Sequence, residues 1–348
     1  MTECQKLMES IAKTTADYRK GEIAAPTPEH VDRWVAQFEV SAQLPILAEV
    51  DHVLKCTYFS QREVECFIAH LIINKELAGT DPCAYWRSVN FLDIQKNGHS
   101  QRDMLSIFGK ILKEKCGIAI GDCGSKCGEY IFLDDAIFSG SRVRSDLDPW
   151  IQTKAPAKAT VHVVTIALYT GSEWTFRVPL AESIKNSKKN IVIKRWRAIE
   201  LENQKVNKDT SEVFWPVEIP SYPDVQAYVK SQQKFAFVTR TPGSKTKHPI
   251  FSSEAGRQLL ELHFLSAGVK IRGFCNNPKP ILRPLGFGLF GLGFGSTIVT
   301  FRNCPNNAPL AMWWGDPDAV GDHPFSKWYP LFPRKTYLQE FGFDAIDQ

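Results

Sequence analysis

Residues 160–169, T-V-H-V-V-T-I-A-L-Y, constrain the fold more than any other run in this chain. The stretch is almost unbroken in its apolar character and rich in β-branched residues. A strand with one wet face alternates apolar and polar positions, whereas a strand buried on both faces reads as a continuous apolar run. A parallel sheet covered by helices is therefore expected around it. The sequence before it agrees. Residues 89–94 read as a short strand and residues 130–133 as another. Between them lies a helix from about Gln101, with Met104, Leu105, Phe108, Ile111 and Leu112 on one stripe and Ser100 as its cap. Strand and helix alternate from Val89 to Tyr169, the pattern of an α/β core. His162, inside the apolar run, reads as a core histidine with satisfied hydrogen bonds. Residues 191–199 offer one more strand.

A length of 348 residues allows one large domain or two modest ones. The formal net charge is +4, from 42 basic and 38 acidic residues, which argues against general polyanion binding. A basic concentration from Lys185 to Lys208 reads as a solvated face, with a nucleic-acid or acidic-partner contact as the sharper alternative. Met1 to Lys20 is polar, and the apolar runs fall short of the 18 or so residues that span a membrane. A cytoplasmic protein with reduced thiols is expected. Cys116, Cys123 and Cys127 cluster, but no histidine or C-x-x-C pair completes a zinc site, so they read as unligated thiols.

From Thr27 to about Leu77 the pattern is helical, with Pro28 in a first turn and further helices at 44–54 and 60–73. These helices are compatible with a winged-helix-like unit. The third is not basic, which favours packing or partner docking over DNA binding. A helical module over 1–80 and an α/β domain over 81–348 are expected, with an inserted or hood region at about 205–285. Residues 209–247 are rich in Pro and polar residues, and a helix opens at Ser253. Residues 286–291 match G-x-G-x-x-G formally but run on into a strand at 297–301, so they read as a Gly-rich bend. Asn303, Asn306 and Asn307 follow and are candidate ligand contacts.

The chemistry concentrates at residues 130–142, Y-I-F-L-D-D-A-I-F-S-G-S-R. An apolar strand ends in Asp134 and Asp135, and a small-residue loop, Ser139, Gly140 and Ser141, leads into a helix. Ligands of open α/β sheets bind beyond the carboxyl ends of strands. Small residues before a helix leave backbone N–H groups to cradle a phosphate, and paired carboxylates accept ribose hydroxyls and attract a cation. A second strand–turn–helix, residues 95–100 with Gln95, Gly98 and Ser100, is a candidate diphosphate loop.

The 130–142 run resembles the phosphoribosyl diphosphate (PRPP) loop of type I phosphoribosyltransferases. Phe138 replaces a threonine, Ser141 a glycine and Arg142 a small hydroxyl residue of that pattern. More widely, the chain resembles phosphoribosyltransferase-like proteins of prokaryotic conflict systems, some encoded beside retron reverse transcriptases. The resemblance rests on V-D-R-W-V-A-Q-F (31–38), L-D-D-A-I-F-S-G-S (133–141), F-S-S-E-A-G-R-Q-L-L-E (251–261), N-C-P-N-N-A-P-L-A-M-W-W (303–314) and W-Y-P-L-F-P-R (328–334). It implies a type I phosphoribosyltransferase-like parallel sheet flanked by helices, used by an antiphage-defence effector. The implied ligand is a ribose 5-phosphate, PRPP or nucleotide bound with Mg²⁺, which Asp134 and Asp135 would hold through water. Ser139, Gly140, Ser141 and Arg142 would hold the 5-phosphate. The implied partner is a reverse transcriptase–msDNA complex or another defence protein. Two functions stay open: an enzyme acting at ribose C1, and a nucleotide sensor or partner-binding module without turnover.

Overall fold

The structure, a computed structural model, describes residues 1–334 apart from 97, 126–127, 233–236, 244 and 289–290. Contacts divide the chain into two compact units, residues 62–204 and a discontinuous unit of residues 1–61 with 205 onward. The chain opens with α1 (Glu3–Thr14), α2 (Pro28–Val35), α3 (Val40–Thr57) and β1 (Tyr58–Phe59). Next come α4 (Gln61–Ile72), α5 (Lys75–Ala78), α6 (Pro82–Ser88), β2 (Asn90–Phe91), α7 (Ser100–Cys116) and β3 (Glu129–Ile137). The same stretch continues through α8 (Ser141–Thr153), β4 (Lys158–Tyr169), α9 (Arg177–Ser187) and β5 (Asn190–Leu201). Last are α10 (Pro223–Ser231), α11 (Glu254–Arg272), β6 (Val299–Thr300) and α12 (Leu310–Trp313). The helices grouped by the sequence into one N-terminal module fall on both sides of the contact division, and that division differs from a boundary at residue 80.

Residues 62–204 hold a four-stranded sheet in the order β2-β3-β4-β5, with every neighbouring pair parallel. Parallel neighbours require crossovers, and α7, α8 and α9 supply them. β4 is central and almost wholly buried, as its unbroken apolar run requires. One face of the sheet carries Phe132, Val161 and Val163, packed with Val143, Leu147 and Ile151 of α8 and Leu180 of α9. Ile131, Leu133, Val164 and Ile166 point the other way and are also buried.

Three local readings change. β3 does not stop at Leu133: its ladder with β4 continues through Asp134↔Thr165 to Ile137↔Leu168. The long β4 offers backbone partners regardless of what the side chains carry. Ser100 is not a cap but the first residue of α7, whose N-cap position is His99 without a side-chain bond. Finally, Cys116 is not an unligated thiol: it forms a disulfide with Cys83 of α6, Cα–Cα 5.4 Å. Cys123 is free, and Cys127 lies outside the described residues. His162 is satisfied as expected. Trp196 Nε1–H can only donate, and it donates to Nδ1 at 2.9 Å. The ring proton therefore sits on Nε2 and is donated to Glu129 Oε2 at 2.6 Å.

In the discontinuous unit, α1 begins with a capping box between Thr2 and Gln5. Thr27 caps α2 by accepting the His30 N–H. β1 and β6 form a short parallel pair. The buried Trp34 donates its indole N–H to Ala311 O at 2.8 Å, and Trp328 donates to the same carbonyl at 3.1 Å. The 251–261 block acts as a clamp. Ser253 caps α11, and Arg257 holds the carbonyls of Ser211 and Val213. Glu261 accepts from Arg257, Arg240 and the Trp215 N–H. Gly256 leaves room for the Glu49 carboxylate, which accepts the Ser252 N–H at 2.9 Å. Residues 209–247, read as irregular, contain α10 and the buried Val213, Phe214 and Trp215.

Candidate functional site

Asp134 and Asp135 sit near the carboxyl end of β3, where loops from neighbouring strands converge. Asp134 is only 2% exposed. Its Oδ1 accepts the Ser100 hydroxyl at 2.7 Å and the Asp135 N–H at 2.9 Å. Burial, and then the neighbouring Asp135 charge, push its carboxyl up to about 7, while Ser100 and the Arg142 charge work against the rise. Asp135 is half-buried, and its Oδ1 accepts the Ala136 N–H at 2.8 Å.

Beyond β3, Phe138 stacks on Tyr169 at the end of β4, with ring centroids 5.5 Å apart. Gly140 then turns the chain with φ +80°, in the left-handed region that favours glycine. A Cβ at Gly140 would also lie 2.4 Å from Cβ of Phe176, so the turn rests directly on that ring. The Ser139 carbonyl accepts the Thr175 hydroxyl, and the Ser139 hydroxyl accepts the Ser141 N–H at 3.3 Å. α8 starts at Ser141, which places Arg142 in its exposed first turn.

The 95–100 loop lies beside this turn. A Cβ at Gly98 would be 3.8 Å from the Arg142 guanidinium and 3.8 Å from Gln95 Nε2. The loop is braced from within. Gln101 Oε1 accepts the N–H groups of Ile94 and Gln95, and Gln95 Oε1 accepts that of Gln101. Gln95 Nε2 donates to the Ser100 hydroxyl at 2.8 Å, linking the loop to Asp134 through Ser100. Asp146 of α8, buried, accepts the Lys96 N–H at 3.2 Å. Asn97 lies outside the described residues.

Asp134, Asp135, Ser139, Gly140, Ser141, Arg142, Gln95, Gly98 and Ser100 thus meet at one end of the sheet. The sequence reading missed Gln101, Asp146, Thr175 and Phe176, which hold the two loops in place. Their roles depend on partners distant in sequence, and only Gln101, at the mouth of a helix, carried a local signal. Asn303, Asn306 and Asn307 belong to the other unit, where Asn306 and Asn307 brace its Gly-rich bend. Phe287 N–H bonds the Asn306 carbonyl at 2.8 Å, and Asn307 Nδ2 donates to the Phe287 carbonyl at 2.9 Å. Tyr18 and Asn303 Oδ1 stand 3.5 Å apart.

The parallel sheet flanked by helices, with an acidic strand end and a glycine turn into a helix, defines a phosphoribosyltransferase-like fold. The model of the PRTase-CE family matches residues 31–334. The chain belongs to that family of phosphoribosyltransferase-like conflict effectors. A comparison with curated proteins gave no match. Among the described residues no helix is long and apolar enough to cross a membrane.

Proposed function

We propose that this protein is an antiphage-defence effector whose Asp134–Asp135 site binds a ribose 5-phosphate, PRPP-type or nucleotide ligand and transfers or cleaves a group at ribose C1. The observation that carries the reading is the buried Asp134 beside Asp135 at the end of β3, with the Gly140 turn delivering α8 and the 95–100 loop alongside. The carboxylates would accept ribose hydroxyls. The first turn of α8, with Ser139, Gly140, Ser141 and Arg142, would receive the 5-phosphate at a helix N-terminus. Chemistry at C1 passes through a positively charged ribose, so positioning and nearby negative charge matter more than a strong nucleophile.

Among the described residues no three metal-ligating side chains converge. Two carboxylates fit Mg²⁺, which keeps several waters and takes its other oxygens from substrate phosphates. Bound there, the cation would neutralise diphosphate charge. Asp134 and Asp135 would hold it through water.

A second reading, a nucleotide sensor without turnover, is favoured by the braced loops. Ile94, Gln95, Lys96 and Gln101 already spend their N–H groups on side chains. In this reading a partner such as a reverse transcriptase–msDNA complex reads the ligand state.

The test mixes the protein with PRPP, Mg²⁺ and a panel of bases and nucleotides, and follows diphosphate or free base. Turnover lost in Asp134→Asn/Asp135→Asn supports the enzyme. Thermal stabilisation without product supports the sensor, and a ligand at 100 times its Kd should add about 2.7 kcal/mol. Neither product nor stabilisation would end the ribose-phosphate reading. In cells, a double variant that still protects against phage would remove this site from the defence role.

A further inference from the structure

The turn after β4 carries an aromatic side chain that no role assigned so far uses. Residues 170–173 form a 3-10 turn, and Trp174 follows it, 69% exposed. The other tryptophans of the chain are buried or half-buried. The next two residues grip the glycine turn of the candidate site: the Thr175 hydroxyl donates to the Ser139 carbonyl, and the Phe176 ring lies under Gly140. Trp174 is thus one residue, about 3.8 Å of backbone, from a side chain bonded to the Ser139–Gly140 turn. The turn that presents it is itself held. Gly171 N–H bonds Asn203 Oδ1 at 2.7 Å, and Thr170 donates to Glu202 at 2.6 Å. Glu173, just before Trp174, pairs with Arg177 and, at 3.3 Å, with Arg195. Val178, in the first turn of α9, is also exposed.

We propose that Trp174 is the stacking platform for a nucleobase, so that the ligand of this site is a nucleotide and not a base-free sugar phosphate. This rests on the ribose-phosphate reading of Asp134, Asp135 and the Gly140 turn. Every base offers a π face, and an indole held on a fixed turn at the carboxyl end of a parallel sheet presents a matching one at low entropic cost. The Glu173 pairs with Arg177 and Arg195 help to fix the turn that carries the ring.

The experiment titrates the full-length protein with adenosine 5′-monophosphate and, separately, with ribose 5-phosphate, both with Mg²⁺. Affinity is measured by calorimetry. Quenching of the red-edge tryptophan emission isolates the exposed ring. With wild type, the nucleotide quenches that emission and the sugar phosphate does not. Trp174→Ala weakens the nucleotide by roughly tenfold or more and leaves ribose 5-phosphate unchanged, while Trp174→Phe keeps most of the nucleotide affinity. Equal binding of both ligands by wild type and Trp174→Ala overturns the stacking role while sparing the ribose-phosphate site. If wild type binds neither ligand, the ribose-phosphate reading fails and takes this assignment with it. A loss of both ligands in Trp174→Ala, with an unchanged melting temperature, would make Trp174 a support for the cradle and not a base platform.

Discussion

Asp134 carries a pH signature that can be measured without any ligand. Its carboxyl is pushed from 3.8 up to about 7 in the folded protein, chiefly by burial. Between those values the folded chain holds a proton that the unfolded chain has released. Stability from this group therefore falls as pH rises from 3.8 to about 7 and levels off above. Asp134→Asn should flatten that slope in a series of melting curves, and an unchanged slope would assign it to other groups. A cation or ribose hydroxyl favours the ionised form, so the proposed function predicts ligand affinity in Mg²⁺ that strengthens as pH rises toward about 7. Gly140 makes a separate prediction. Gly140→Ala places a Cβ on Phe176 at a φ of +80°, and should cost about 1–3 kcal/mol in urea unfolding.

Two element-scale features can be broken independently. Glu261 joins Arg240, Arg257 and the Trp215 N–H at the middle of α11, and all three charged side chains are buried. Glu261→Ala leaves two arginines without their shared partner and should cost about 3–5 kcal/mol by chemical denaturation. The disulfide joins α6 to the end of α7 across 33 residues of sequence. Replacing both cysteines by serine should lower stability by about 3–4 kcal/mol, from loop entropy restored to the unfolded chain. What the sequence disclosed at this scale follows from the range of the interactions. β4 was legible because burial on both faces writes itself into ten consecutive residues. Asp134, Asp135 and Gly140 were legible because the residue types needed at a strand end and a tight turn are local. The disulfide, the Asp146 brace and the Phe176 support were not, since each joins residues 33 to 50 positions apart or meets its partner only after folding. α1 went unread because its helix is mostly polar and its cap, Thr2 with Gln5, precedes no apolar run.

At the scale of the whole molecule, the first and last parts of the chain share one core. Trp34 meets the Ala311 carbonyl across 277 residues, and Tyr18 meets that of Pro333 across 315. Contacts of such separation slow folding. Trp34→Ala removes a fully buried ring and should cost about 3–5 kcal/mol. The loss is best read from the unfolding of the discontinuous unit, for example by near-UV circular dichroism. The same topology sets an order of events on the ribosome. Residues 62–204 are complete in the nascent chain before residues 205 onward exist, while the helices of residues 1–61 have emerged without the segment that covers them. At about 5–20 residues per second, α2 waits for tens of seconds with Trp34 unpaired. During synthesis the protein therefore offers chaperones an apolar, tryptophan-bearing surface that the finished chain hides.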